Sequence, residues 1–342
     1  MEKQAKAILG QIGTVSLLNA AMLISASVPS GALAQKVSAG WQRVDTTGKF
    51  HSREEASFVS CGGRLYLLGG RGIQPVDIYD PKTGSWSAGA APPIEIHHFQ
   101  AVVWQNRIYI AGAMTGRYPS ETPIGNILIY YPSRDMWSAG DAIPPARRRG
   151  SAGVVIHDGK LYLTAGIKNG HTDGWVNWFD SYDFATMRWT QLPDAPRARD
   201  HFEAAGVDGK LYAIGGRRSS FVTNQTFDLT IPEVDVFDFA KNKWSTLPST
   251  DNLPTQRAGA GVAVVGRNII VVGGESVKHL QGHSEVEAFD TTSQKWQELP
   301  HLSEGRHGTG TVYIDGSLYT CAGAGNRGGS PLVTSLERLK LP

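Results

Sequence analysis

A chain of 342 residues with a formal charge of only +2 and no long basic run gives no reason to expect nucleic acid as a partner. Forty glycines beside an apolar fraction of 41% exclude a disordered polymer and point to many tight turns around a packed interior. Two domains would fit the length, but a repeat of about 50 residues favours one closed ring.

Residues 1–34 carry Lys3 and Lys6, an apolar middle over Val15 to Ile24 and the small-residue end Ala32-Leu33-Ala34. This pattern predicts a secretory signal cleaved after Ala34, followed by a short linker over residues 35–39. Asn19 and the small tail break the apolar span, which argues against a membrane anchor. The expected location is therefore periplasmic or secreted, free of the membrane after cleavage.

Next come Trp41, in GWQRV, and then six copies of one unit. Each has an aliphatic-aromatic or aliphatic pair for a second strand: Leu65-Tyr66, Ile108-Tyr109, Leu161-Tyr162, Leu211-Tyr212, Ile269-Ile270 and Leu318-Tyr319. A small pair follows, from Gly69-Gly70 through Gly112-Ala113, Ala165-Gly166, Gly215-Gly216 and Gly273-Gly274 to Ala322-Gly323. The third runs read VDIYD, NILIYYP, FDSYDF, VDVFDF, VEAFD and SLERL, and tryptophans follow the first five at Trp86, Trp137, Trp189, Trp244 and Trp296. Turn chemistry separates the runs, as at Asp208-Gly209, so each unit reads as an antiparallel four-stranded sheet. The sixth lacks its tryptophan, and GWQRV matches KWQEL around Trp296. The N-terminal strand is thus predicted to complete the last sheet and leave no open edge.

The Gly-Gly pairs, the Tyr-Asp pairs (Tyr79-Asp80, Tyr182-Asp183) with Phe-Asp at Phe237-Asp238 and Phe289-Asp290, and the spaced tryptophans resemble the Kelch repeat. The resemblance covers Gly40 to Leu339 and implies an all-β, six-bladed Kelch β-propeller over residues 40–342. Propellers of this family include enzymes, sugar binders and protein adaptors, so the fold leaves function open. In architecture the chain is similar to periplasmic sialate mutarotase. That likeness implies an acid and a base that open and close a sugar ring, with arginine for a substrate carboxylate. To galactose oxidase the chain is similar in its repeats alone. Cys61 and Cys321 fall in core strands and read as buried small hydrophobes, which disfavours a copper radical centre; no cofactor is expected.

Short hairpins occupy one face of the disc, and the variable loops after the Gly-Gly pairs occupy the other, where function is expected. Aligning the first strands puts Arg53, Ile96, Arg149, Arg199, Arg257 and Arg306 at one level of the channel mouth. Five arginines there either attract an anion or tie the blades through carbonyls. Arg71, Arg217 and Arg327 add loop charge, and His171, His201 and Trp175 complete the expected ligand-binding set. Glu275 stands where blades 1 and 4 have Arg71 and Arg217 and is the expected catalytic base or acceptor, with His307 or a bound water as proton donor. His98 and His201 occupy matching positions, but His307 is offset by one residue and His97 and His98 should point to opposite faces. A metal site from His98, His201 and His307 is therefore not expected, and the histidines read as hydrogen-bonding groups.

Asn224-Gln225-Thr226 is a glycosylation sequon if the source is eukaryotic. Three functions follow in order: an exported propeller binding a small anionic carbohydrate, an acid-base sugar mutarotase or epimerase, and a protein-interaction module.

Overall fold

The computed structural model describes residues 40–342. The expected signal and linker lie outside the described residues. Six four-stranded antiparallel sheets surround one channel. Their innermost strands are Ala56–Cys61, Ala101–Trp104, Gly153–His157, Ala204–Val207, Gly261–Val265 and Thr311–Ile314. Each neighbours the next, and Thr311–Ile314 returns to Ala56–Cys61. The short strand Gln42–Arg43 pairs with Leu336–Lys340, with Gln42 opposite Arg338, so the last blade is closed by the chain's beginning. Trp41, immediately before that strand, is buried among Val272, Leu299 and Leu339.

The repeated residues have identifiable partners. In four of the blades the aromatic of the third strand sits directly across from the tryptophan of the fourth: Tyr79 faces Trp86, Tyr182 faces Trp189, Phe237 faces Trp244 and Phe289 faces Trp296. Ring centroids in these pairs are 5.1 to 5.3 Å apart, close enough for cross-strand aromatic packing. Both cysteines are free and buried, as small core residues.

The aligned arginines are also built into the blades. Arg149 Nη1 donates to Asp180 at 2.6 Å and Arg199 Nη2 to Asp235 at 2.6 Å, while Arg53, Arg257 and Arg306 pair with Asp77, Glu287 and Glu337. Their other donors reach strand carbonyls, such as those of Gly69, Leu163, Ala213, Val271 and Ala322. Each acid belongs to the third strand of the same blade. Blade 2 has neither charge: Ile96 replaces the arginine, and Leu128, in register with Ile110, replaces the acid. Both partners are absent together, the combination that leaves no buried charge unpaired.

A second ring lies two residues further along each first strand. Glu55, His98, Ser151, His201, Gly259 and Gly308 all have positive φ, between 52° and 66°. Their backbones form a closed belt: His98 N–H donates to Glu55 O, Ser151 to His98, His201 to Ser151, Gly259 to His201, Gly308 to Gly259, and Ala56 to Gly308. Bonds of 2.7 to 3.2 Å thus encircle the channel just below the loop face. Four of the six positions hold side chains in a conformation that favours glycine, a strain that structures retain where a site requires it.

Candidate active-site cavity

The belt sets the floor of a cavity of about 610 Å³ on the loop face. Glu54, Glu55, Arg71, His98, Arg117, Tyr118, His171, Arg217, Phe227, Glu275 and His307 are among its lining residues. This size suits a small ligand. The walls come from the loops that follow the small pairs. In blade 2 the loop folds into a hairpin of Met114–Thr115 with Thr122–Pro123, presenting Arg117, Tyr118 and Glu121. The blade 3 loop is latched to it, since His171 N–H donates to Pro119 O at 2.8 Å. The blade 4 loop is latched in turn by Phe221 N–H donating to His171 O.

Glu275 is 2% exposed and held on every side. Arg217 Nη1 donates to Oε1 at 2.5 Å, Gly328 N–H to Oε2 at 2.9 Å, and His307 Nε2 lies 3.4 Å from Oε2. Burial alone would raise this carboxyl; His307, Arg217 and the Gly328 amide outweigh it and hold the group down at about 2. Glu54 is moved the other way. Burial and the adjacent Glu55 push it up to about 8, against the opposing charge of Arg71, whose Nε donates to Glu54 at 3.1 Å. One cavity thus holds a carboxylate whose surroundings favour its ionised form and a carboxyl whose surroundings favour its protonated form.

His307 takes a different role from the one expected. Its Nε2–H donates to Asn326 O at 2.8 Å, which commits its proton to the backbone and makes the residue a support for Glu275.

On a second wall, His98, His171 and His201 converge, with ring centroids 4.7 to 5.0 Å apart. Asp200 accepts from His201 Nδ1 at 2.5 Å, and Glu121 contacts His171 Nδ1 at 3.1 Å. Burial holds His201 down at about 3, with Arg217 adding to the shift and Asp200 opposing it; burial also drives His98 well below its ordinary value. His98 and His201 are thereby held neutral, and neutral imidazole nitrogens can bind a metal. The sequence reading paired His98 and His201 with the wrong third histidine: the loop residue His171 joins them, and His307 sits beside Glu275. His97 and His98 also meet, Nδ1 to Nδ1 at 2.6 Å, because the positive φ of His98 breaks the strand alternation that would have separated them.

Of the expected ligand-binding residues, Arg71, Arg217 and His171 line the cavity, whereas His201 lines the narrow space inside the belt beneath it. Arg327 stacks over Phe227 at 5.4 Å, and Trp175 is anchored at the rim by Nε1–H donating to Ser219 O. The structure does not bring Arg53, Arg149, Arg199, Arg257 or Arg306 to the mouth. Their guanidiniums are consumed inside the blades, so the ring of five is a set of staples rather than an anion-binding mouth. Glu55, Glu121 and Phe227 escaped sequence reasoning. For Glu55 a signal was present, two residues after an aligned arginine, where His98, Ser151 and His201 also stand.

Residues 100–323 match the KLHDC2/KLHL20/DRC7 Kelch-repeats domain. Kelch-like protein terF of Aspergillus terreus is 27% identical over 319 residues, covering 87% of this chain and 67% of that protein. Kelch-like protein 15 of Danio rerio is 30% identical over 260 residues, 68% of this chain and 40% of that protein. The chain therefore spans about two thirds of the fungal relative and well under half of the fish one. The solved structure of YjhT superposes with a TM-score of 0.71 at 16% identity, covering 85% of this chain and 96% of that one, a likeness of fold.

Proposed function

Because the chain belongs to the Kelch-repeat family of β-propellers, we propose that the loop-face cavity binds a small, hydroxyl-rich ligand of the carbohydrate class and catalyses acid-base proton transfer on it. The opening and closing of a sugar ring is the reaction that fits best. The observation that carries this reading is the pair Glu54 and Glu275, two carboxyl groups on one cavity with affinities for protons pushed in opposite directions. Environments that separate two such groups assign acid and base. Glu54 gives a proton to the ring oxygen. Glu275 orients the ligand hydroxyl and accepts its proton, and Arg217 stabilises the carboxylate. The strong hold on Glu275 makes it a weak base.

Tyr118 and Phe221, each 49% exposed and edge to face at 5.8 Å, supply an aromatic rim for the apolar face of a sugar. Arg117 and Arg71 replace the aligned arginines as the groups that would meet a ligand carboxylate. Export follows from the leader pattern of residues 1–34 and belongs to the same proposal.

Saturation-transfer NMR with neutral and acidic sugars tests occupancy. Binding that is lost in Glu275→Gln and Tyr118→Ala together supports the reading, and no saturation transfer to any sugar contradicts it. The same exposed rim, extended by Val222 at 62% exposure, favours a second reading in which a polypeptide segment docks across the mouth. That reading predicts peptide capture that Tyr118→Ala and Phe221→Ala weaken and that sugars do not compete.

A further inference from the structure

The geometry points to a binding site for one first-row divalent transition-metal ion formed by the Nε2 atoms of His98, His171 and His201. The argument begins with where the imidazole protons must be. His171 Nδ1 faces both oxygens of Glu121 at 3.1 Å and His201 Nδ1 faces Asp200 at 2.5 Å, so each Nδ1 carries the proton and donates it. For His98 the assignment runs through its neighbour. His97 Nε2 lies 3.0 Å from Gly116 O, an acceptor, so His97 is protonated at Nε2 and offers a lone pair at Nδ1; His98 Nδ1–H, 2.6 Å away, donates to it.

All three Nε2 atoms then carry lone pairs, and they converge. Those of His171 and His201 lie 3.0 Å apart, a contact that a proton on one of them bridges in the metal-free protein and that a shared metal ion would replace. His98 Nε2 is buried with no hydrogen-bond partner, its nearest acid being Glu55 Oε2 at 3.4 Å. The ligating atoms lie within 4.8 Å of one another. Nitrogen donors at about 2.0–2.1 Å from a tetrahedral zinc ion stand about 3.3 Å apart, so only small ring movements are required.

The surroundings match what such ions require. A carboxylate or another imidazole fixes the far nitrogen of every ring, the arrangement that orients metal-binding histidines. Three imidazole nitrogens suit zinc, iron(II), cobalt(II) or copper(II) rather than magnesium or calcium. His98 and His171 also line the ligand cavity, so one coordination position faces the space where a small molecule would sit. A metal there would polarise a ligand oxygen. The proposal does not rest on the acid-base reading, because the ion is counted directly.

The test uses the full chain made without a histidine tag, stripped with a chelator and titrated with zinc or cobalt(II). Calorimetry and elemental analysis should find one tight equivalent per chain, and the cobalt adduct should show visible d–d bands. His171→Asn and His98→Asn should lose that equivalent while keeping the parent's circular dichroism. Glu121→Gln should weaken binding about 10- to 100-fold. A second histidine group among the described residues, His279, His283 and Glu285, supplies the control. Parent chain that binds no tight equivalent, His171→Asn that retains it, or His279→Asn/His283→Asn that abolishes it would each overturn the proposal.

Discussion

Glu54 and Glu275 face the same cavity with opposite shifts, and each shift has a consequence in pH. Glu54 is raised to about 8 in the fold, so the stability it contributes is complete below about pH 4.5 and is lost as pH rises through about 8. Glu275 is depressed to about 2, so its contribution is present above about pH 4.5 and disappears as pH falls toward 2. For catalysis, ring interconversion should fall as pH rises past about 8, and Glu54→Gln should remove both that limb and most of the rate. A pH–rate profile checks this; an unchanged limb in Glu54→Gln would assign the proton to another group. Glu275 was legible in the sequence because an acid interrupts a position held by arginine in blades 1 and 4. Glu54 was not, since its protonation depends on burial and on Glu55, which no local pattern announces.

Blade elements were read from period and turns. Strands, small pairs, tryptophans and the closing strand all follow from local residue choices that the fold repeats, and repetition turned weak signals into a register. The aligned arginines show where that reasoning stops. Their spacing placed them correctly at one level, but direction was hidden because their partners, Asp77, Asp180, Asp235, Glu287 and Glu337, lie in the third strands. The joint replacement by Ile96 and Leu128 in blade 2 was the available sign of an arginine–acid pair. It leads to a prediction: Arg257→Ala should destabilise the protein by about 3–5 kcal/mol by leaving Glu287 buried and unpaired, whereas Arg257→Ile with Glu287→Leu should recover most of the loss. Urea denaturation of the single and double variants measures it, and equal losses would argue against pairing as the reason. The histidine cluster was illegible for a related reason. Its third member comes from a loop whose position depends on the hairpin of blade 2, and its first from a residue whose positive φ overrides strand alternation.

The whole molecule is a ring held shut at two radii. Outside, Trp41 and Gln42–Arg43 close the last blade; inside, the backbone belt from Glu55 to Gly308 closes the channel. Trp41→Ala should cost about 3 kcal/mol, which lowers the melting temperature by roughly 5 °C at this size. Calorimetry would show it, and an unchanged melt would mean that the outer closure contributes little. With both closures intact, the loops stand on a rigid floor and hold the Glu54 and Glu275 pair at the cavity. Exchange NMR of sugar anomers with the parent and Glu275→Gln tests the central claim most directly. The account predicts catalysed interconversion by the parent and a fall of about two to four orders of magnitude in the folded variant. Occupancy of the cavity by a sugar with no catalysed exchange, or equal exchange in both proteins, would contradict it.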